Sequence, residues 1–156
     1  MPEMGIILFA EDSQDDAFLL KRAFSKLDES IIIEHVKDGN GMIAFLSALK
    51  GKNGATRLPR LLLLDLKMPG CDGFDVLKWR RDHPEWLIIP AVIFSSSAEE
   101  RDIIKTYELC GNSYAVKPST LDGYLKFAEA LRRWWLNQNR SPGIGPAHPF
   151  SSGRGY

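Results

Sequence analysis

Three carboxylates, a hydroxyl and a lysine follow four short, mostly apolar runs. Gly5–Ala10 (GIILFA) runs into Glu11-Asp12, and Leu61–Leu64 runs into Asp65. Ile88–Phe94 is followed by Ser95, and Asn112–Val116 by Lys117. Brought together, Glu11, Asp12 and Asp65 would repel one another, and a hard divalent cation would relieve that. Carboxylate oxygens suit Mg2+, which prefers octahedral oxygen coordination and keeps several waters. A hydroxyl and a mobile ammonium beside such a site can surround a phosphoryl group in transfer. Asp65 would then be a carboxylate nucleophile that forms an acyl phosphate. Taken singly, each residue has a plainer meaning. An acid after a strand is commonly a turn residue or a helix cap, and Ser95 could simply begin a helix. The chemistry lies in the joint pattern of complementary groups on separate strands.

Such a meeting requires elements that deliver every group to one edge. Arg60–Asp65, with four unbroken leucines, reads as a strand buried on both faces of a parallel sheet. Pro69, Gly70 and Gly73 then force a loop. Ser13 and Asp16 form a capping pair, after which Ala17, Leu20, Phe24 and Leu27 recur at helical spacing. Ser30–Val36 is a β-branched strand and Asp38–Gly41 a turn. Met42–Lys50 reads as a helix with Ile43, Leu46 and Leu49 inward, and Gly51–Pro59 as a polar loop. Phe74–Arg81 is a short helix with Phe74, Val76 and Leu77 inward, ended by Pro84. Pro90 weakens the start of the strand Ile88–Phe94. Ser97 with Glu100 predicts a cap for a helix over Ala98–Leu109, which Gly111 stops. Ser119 with Asp122 opens a last helix that runs to about Asn137.

Strands alternating with helices predict an α/β fold, with parallel strands and helices on both faces. No G-x-G-x-x-G follows the first strand and there is no P-loop. The flavodoxin-like order 2-1-3-4-5 fits instead. Its switch point, between strands one and three, brings Glu11 and Asp12 beside Asp65.

A chain of 156 residues, 44 % hydrophobic, supports one domain with a full core, expected over residues 1–137. Residues 138–156 are rich in Gly, Pro and Ser and predict a flexible tail. Zero net charge favours neither nucleic acid nor an anionic membrane as partner. No apolar run approaches the ~20 residues needed to span a bilayer. The N-terminus has no signal-peptide pattern. Cys71 and Cys110 make neither a disulfide framework nor a zinc site, and read as reduced thiols in a cytoplasmic protein.

Glu11-Asp12, the block LLLLDLKMPGCDGFDVL, Ser95, and Tyr114 with Val116-Lys117-Pro118 together resemble the receiver domain of two-component response regulators. The resemblance runs from about Ile6 to Trp135. It implies that Asp65 accepts a phosphoryl group from a histidine kinase. It also implies that Asp12, Asp65 and the backbone carbonyl of Lys67 bind Mg2+, with Glu11 acting through a metal-bound water. Ser95 and Lys117 would contact the phosphoryl oxygens, Tyr114 would be the aromatic switch, and the Lys117–Pro118 bond would be cis. Lys67 and Ser97, two residues beyond Asp65 and Ser95, would overlook the path of the hydrolytic water and tune the phosphoryl lifetime. The opening FAEDSQDDAFLLKRAF and the polar loop after the second helix are similar to phytochrome-associated response regulators, which implies a light-regulated histidine kinase.

The output is expected to be protein contact rather than turnover of external substrates. On the last helix, Leu121, Leu125, Ala128, Leu131 and Trp135 predict a buried face. Tyr124, Phe127 and Trp134 are left as a second apolar stripe, expected to form a homodimer interface with the fourth helix and fifth strand. Two rivals stand beside this reading. Haloacid-dehalogenase-type phosphatases also use an Asp nucleophile with Mg2+, but place a second Asp two residues on, where this chain has Lys67. A structural adaptor that is never phosphorylated would have no need of the intact set Glu11, Asp12, Asp65, Ser95 and Lys117.

Overall fold

Short runs of apolar residues form a parallel sheet in the computed structural model, which describes residues 5–50 and 58–141. The strands are β1 (Gly5–Ala10), β2 (Ile31–Val36), β3 (Leu61–Leu64), β4 (Ala91–Ser95) and β5 (Ser113–Val116). Their order is β2-β1-β3-β4-β5, and every pairing is parallel, as expected. The helices are α1 (Gln14–Leu27), α2 (Gly39–Leu49), α3 (Gly73–Asp82), α4 (Glu100–Glu108) and α5 (Leu121–Leu131). A 3₁₀ turn covers Pro84–Trp86, and a π-helical segment, Arg132–Gln138, continues α5.

Side chains alternate across each strand, yet both sheet faces are covered, which is why the strands read as unbroken apolar runs. Leu8, Ala10, Leu62, Leu64 and Ile93 pack on one face with Met42 and Leu46 of α2 and Val76 and Leu77 of α3. Ile7, Phe9, Leu61, Leu63 and Phe94 pack on the other with Leu20 and Phe24 of α1 and Ala128 and Leu131 of α5. Each leucine of β3 is fully buried, so truncating one to alanine costs about 2–5 kcal/mol. Register aligns the strand ends. Ala10 pairs with Leu64, Leu64 with Ile93, and Ser95 with Val116. The residues just beyond these positions therefore share one edge.

Several local expectations are corrected. The α4 helix begins at Glu100 with Glu99 as its N-cap, and Ser97 does not cap with Glu100. Instead the Ser97 hydroxyl donates to Asp102 Oδ2 (2.6 Å), one turn further along. Thr120, not Ser119, caps α5, its Oγ1 accepting from the Gly123 N–H (3.1 Å). The α2 helix starts three residues early because Asp38 Oδ1 accepts from Gly41 N (2.8 Å). On α2 it is Met42, with Leu46 and Leu49, that is buried, while Ile43 is half-exposed. The β4 strand begins only after Pro90, which cannot donate to the ladder, although its carbonyl accepts from Leu62 N (2.8 Å).

Two of the three residues of the second stripe are taken into the fold, while Trp134 stays exposed. Tyr124 is buried, and Phe127 stacks on Phe94 at 4.4 Å between ring centroids. Leu121, expected inside, is exposed in the first turn of α5. All peptide bonds among the described residues are trans, Lys117–Pro118 included, which is the form an X–Pro bond prefers. Most of the predicted loop Gly51–Pro59 and of the predicted tail lies outside the described residues.

Candidate functional site

Each strand hands its terminal group to the same edge. The Glu11 N–H still pairs with Val36 O (3.0 Å), so β1 stays in the sheet until its first acid. Glu11 is fully buried, and its Oε1 accepts from Ser13 N (3.1 Å). The His35 ring on β2 places Nε2 2.7 Å from the Glu11 carbonyl. A carbonyl only accepts, so that nitrogen carries the proton. Asp12, the next residue, is exposed. Asp65 is tied to β1 through its N–H on Ala10 O (3.1 Å), and its Oδ1 accepts from Lys67 N (3.3 Å). The start of α3 is pressed against it. A Cβ at Gly73 would lie 2.4 Å from the Asp65 carbonyl oxygen, so only glycine fits there.

From the far side, Lys117 N–H pairs with Ser95 O (2.8 Å) and projects its ammonium across the edge. Its Nζ lies 3.1 Å from Asp65 Oδ2, 2.9 Å from Glu11 Oε2 and 2.8 Å from Asp16 Oδ2. Asp16 also accepts at Oδ1 from the Tyr124 hydroxyl (3.3 Å). Ser95 is buried, its Oγ accepting from Ser97 N (3.2 Å). The Tyr114 hydroxyl donates to Ser97 O (2.8 Å), so its half-buried ring is turned in over the β4–α4 loop. The Ser97 hydroxyl is engaged with Asp102, and the Lys67 side chain is exposed.

Glu11, Asp12, Asp65, Ser95 and Lys117 are thus gathered at the edge, and the structure adds two residues that sequence reasoning missed. Spacing predicts Asp16 as half of a capping pair, and its N–H does donate to Ser13 Oγ (3.3 Å). Its side chain faces the site instead. The available signal was a second acidic pair, Asp15-Asp16, within a turn of the first. Tyr124 gave no signal beyond its hydroxyl in an apolar stripe.

One ammonium serves several carboxylates. Burial dominates at Glu11 and pushes its carboxyl up to about 8, with Asp65 adding repulsion and Lys117 pulling the other way. Burial alone would pull Lys117 down, but Asp16, Glu11 and Asp65 outweigh it and hold its ammonium protonated well above the ordinary range. The Tyr124 phenol is pushed up to about 12, by burial first and then by the charge of Asp16.

The donor set suits a hard divalent cation. One oxygen each of Glu11, Asp12 and Asp65 lies within 4.8 Å of the others. Glu11 Oε2 is buried without a hydrogen bond, its nearest cation being Lys117 in simple ion contact. All-oxygen carboxylate donors of this kind match Mg2+, Mn2+ or Ca2+ rather than softer metals.

Residues 7–128 match the family described as the response regulator receiver domain. The chain is 36 % identical over 138 residues to the probable methanogenesis regulatory protein FilR2 of Methanothrix harundinacea, covering 88 % of each chain. It is 35 % identical over 133 residues to the response regulator Rcp1 of Synechocystis sp., covering 84 % of this chain and 88 % of that one. The crystal structure of the Mn(2+)-bound form of Rcp1 superimposes with a TM-score of 0.76 at 31 % identity, over 88 % of this chain and 99 % of that one. The phosphorylated cyanobacterial phytochrome response regulator RcpA superimposes with a TM-score of 0.78 at 30 % identity, over 88 % of this chain and 98 % of that one.

Proposed function

The chain belongs to the response regulator receiver domain family, and on that premise we propose that Asp65 accepts a phosphoryl group from the phosphohistidine of a histidine kinase. The observation that carries the reading is the convergence of Lys117 on Asp65 at 3.1 Å, beside the acids Glu11 and Asp12. An Asp65 carboxylate oxygen attacks phosphorus, and the N–P bond of the donor breaks. The bonding electron pair and a proton stay with the imidazole, and an acyl phosphate is left on Asp65. The Lys117 ammonium and the Ser95 hydroxyl take the phosphoryl oxygens as charge builds on them. Mg2+ would be held by Asp12, Asp65 and the Lys67 carbonyl, with Glu11 acting through a water, and would supply further neutralisation of those oxygens. Tyr114 serves as the switch, and Lys67 and Ser97 set how long the acyl phosphate lasts.

The protein acts in the cytoplasm through protein contacts, without turning over external substrates. Among the described residues no helix is long and apolar enough to cross a membrane. The likeness to RcpA supports a phytochrome-type kinase as donor. A homodimer through α4, β5 and α5 is the proposed output surface.

Incubation with acetyl phosphate and Mg2+, followed by intact mass, tests the reading. The parent chain should gain one phosphoryl mass and Asp65→Asn none. Sustained phosphate release would point to a phosphatase, and no adduct to an adaptor.

A further inference from the structure

Lys117 has three N–H donors and meets three carboxylates, of which Asp16 is the nearest at 2.8 Å and Asp65 the farthest at 3.1 Å. Asp16 is not free to follow the lysine. Its backbone is fixed in the first turn of α1 by Ser13, and its other carboxylate oxygen is held by the buried Tyr124 of α5. The anchor is therefore built from two helices, and the ammonium comes to it from beyond β5. Asp16 also stands apart from the three acids whose oxygens cluster within 4.8 Å. An ammonium and a divalent cation are rivals for the oxygens of Glu11 and Asp65. A carboxylate outside that cluster shares the ammonium without itself taking the cation.

We propose that Asp16, oriented by Tyr124, is a positioning residue that takes a share of the Lys117 ammonium, weakens its hold on Asp65 and Glu11, and so eases entry of a divalent cation to the acidic cluster. The inference rests on the receiver reading for its purpose, but its physical content is a competition in the unphosphorylated protein. Without the Asp16 charge, Lys117 gives its donors to Asp65 and Glu11 alone, which it already meets at 3.1 Å and 2.9 Å, and opposes the incoming cation more strongly. With Asp16 in place, the lysine stays close and ready for a phosphoryl oxygen.

The test is a double-mutant cycle read as Mg2+ affinity by titration calorimetry on the full chain. Asp16→Asn keeps size and removes the charge, and Lys117→Met removes the ammonium. In the parent, Asp16→Asn should weaken Mg2+ binding roughly three- to tenfold, an ordinary coupling for residues in contact. In the Lys117→Met background the same substitution should change affinity less than about twofold, because the rival cation is gone. Equal weakening in both backgrounds would mean a bulk charge effect and overturn the proposal. Unchanged or tighter binding by Asp16→Asn in the parent background would overturn it too, as would a parent chain that binds no Mg2+. Failure of the parent to form an acyl phosphate sinks the phosphoacceptor reading alone, since the cycle requires no phosphorylation.

Discussion

Glu11 carries the clearest consequence of one ammonium shared among several acids. Burial raises its carboxyl from 4.5 to about 8, so between those values the folded protein holds a proton that the unfolded chain has lost. Stability through this group is therefore full at low pH and falls as pH rises across that window. Glu11→Gln removes the dependence. Without divalent ions, the variant should melt about 2–8 °C above the parent at pH 8, corresponding to roughly 1–2 kcal/mol. The gap should close toward pH 4.5, which thermal melts at both pH values in chelator would check. Lys67 gives a second prediction at this scale. Its exposed side chain lies two residues beyond Asp65, and Lys67→Asn should change the acyl phosphate half-life severalfold, measured by phosphate release. An unchanged rate would make it an ordinary solvated lysine. The acids and Lys117 were readable as a site because each ends a strand, and strand ends share an edge once the order is known. Asp16 was not readable so, because a first-turn acid already has a local reason to be there.

Among the elements, α3 is fastened by a residue that looks like surface. Arg80 is buried, donating from Nε and Nη2 to Ile89 O, from Nη1 to Cys110 O and from Nη2 to Asn112 Oδ1. It joins the end of α3 to the entry of β4 and to the α4–β5 connection. Burial lowers its guanidinium to about 10, so it stays charged at neutral pH, solvated by carbonyls instead of water. Arg80→Ala should cost about 3–5 kcal/mol in urea unfolding, with an unchanged m-value. Arg80→Lys should recover little, because a single ammonium cannot span acceptors set in a planar fork. Its position was predictable in part, since residue 80 follows Val76 and Leu77 at helical spacing. Its charge argued for solvent, and only the carbonyls gathered around it reverse that. Ser97 is a similar case. Glu99, Glu100 and Asp102 all lie within five residues of it, and spacing alone did not show that Asp102 rather than Glu100 takes its hydroxyl.

At the scale of the molecule, the helices cover the sheet but leave several large apolar side chains exposed on α4, β5 and α5. Ile104 and Tyr107 of α4, Val116 of β5 and Leu121 of α5 are 36 % to 52 % exposed. These residues lie on the elements proposed for the homodimer, and a neutral chain offers no bulk charge to keep two copies apart. Tyr107→Glu should lower the sedimentation coefficient from that of a dimer to that of a monomer. Equal sedimentation of variant and parent would remove this surface as the interface. Trp134, expected in the same surface, is exposed on the π-helical segment after α5, and Trp134→Glu reports on that end separately.

The alternation of apolar runs with helical segments, and the polar residue closing each run, put Glu11, Asp12, Asp65, Ser95 and Lys117 at the carboxyl ends of parallel strands. The absence of nucleotide-binding glycine motifs then pointed to the order that brings those ends together. The tertiary structure decided what local chemistry leaves degenerate. Asp16 meets Lys117 across 101 residues, and Tyr124 meets Asp16 across 108. A capping acid and a tyrosine in an apolar stripe look the same in sequence whether they face water or one another. Their partners are chosen by how α1 and α5 pack side by side on the sheet, and that packing turns a pair of strand-end acids into a site with its lysine already held.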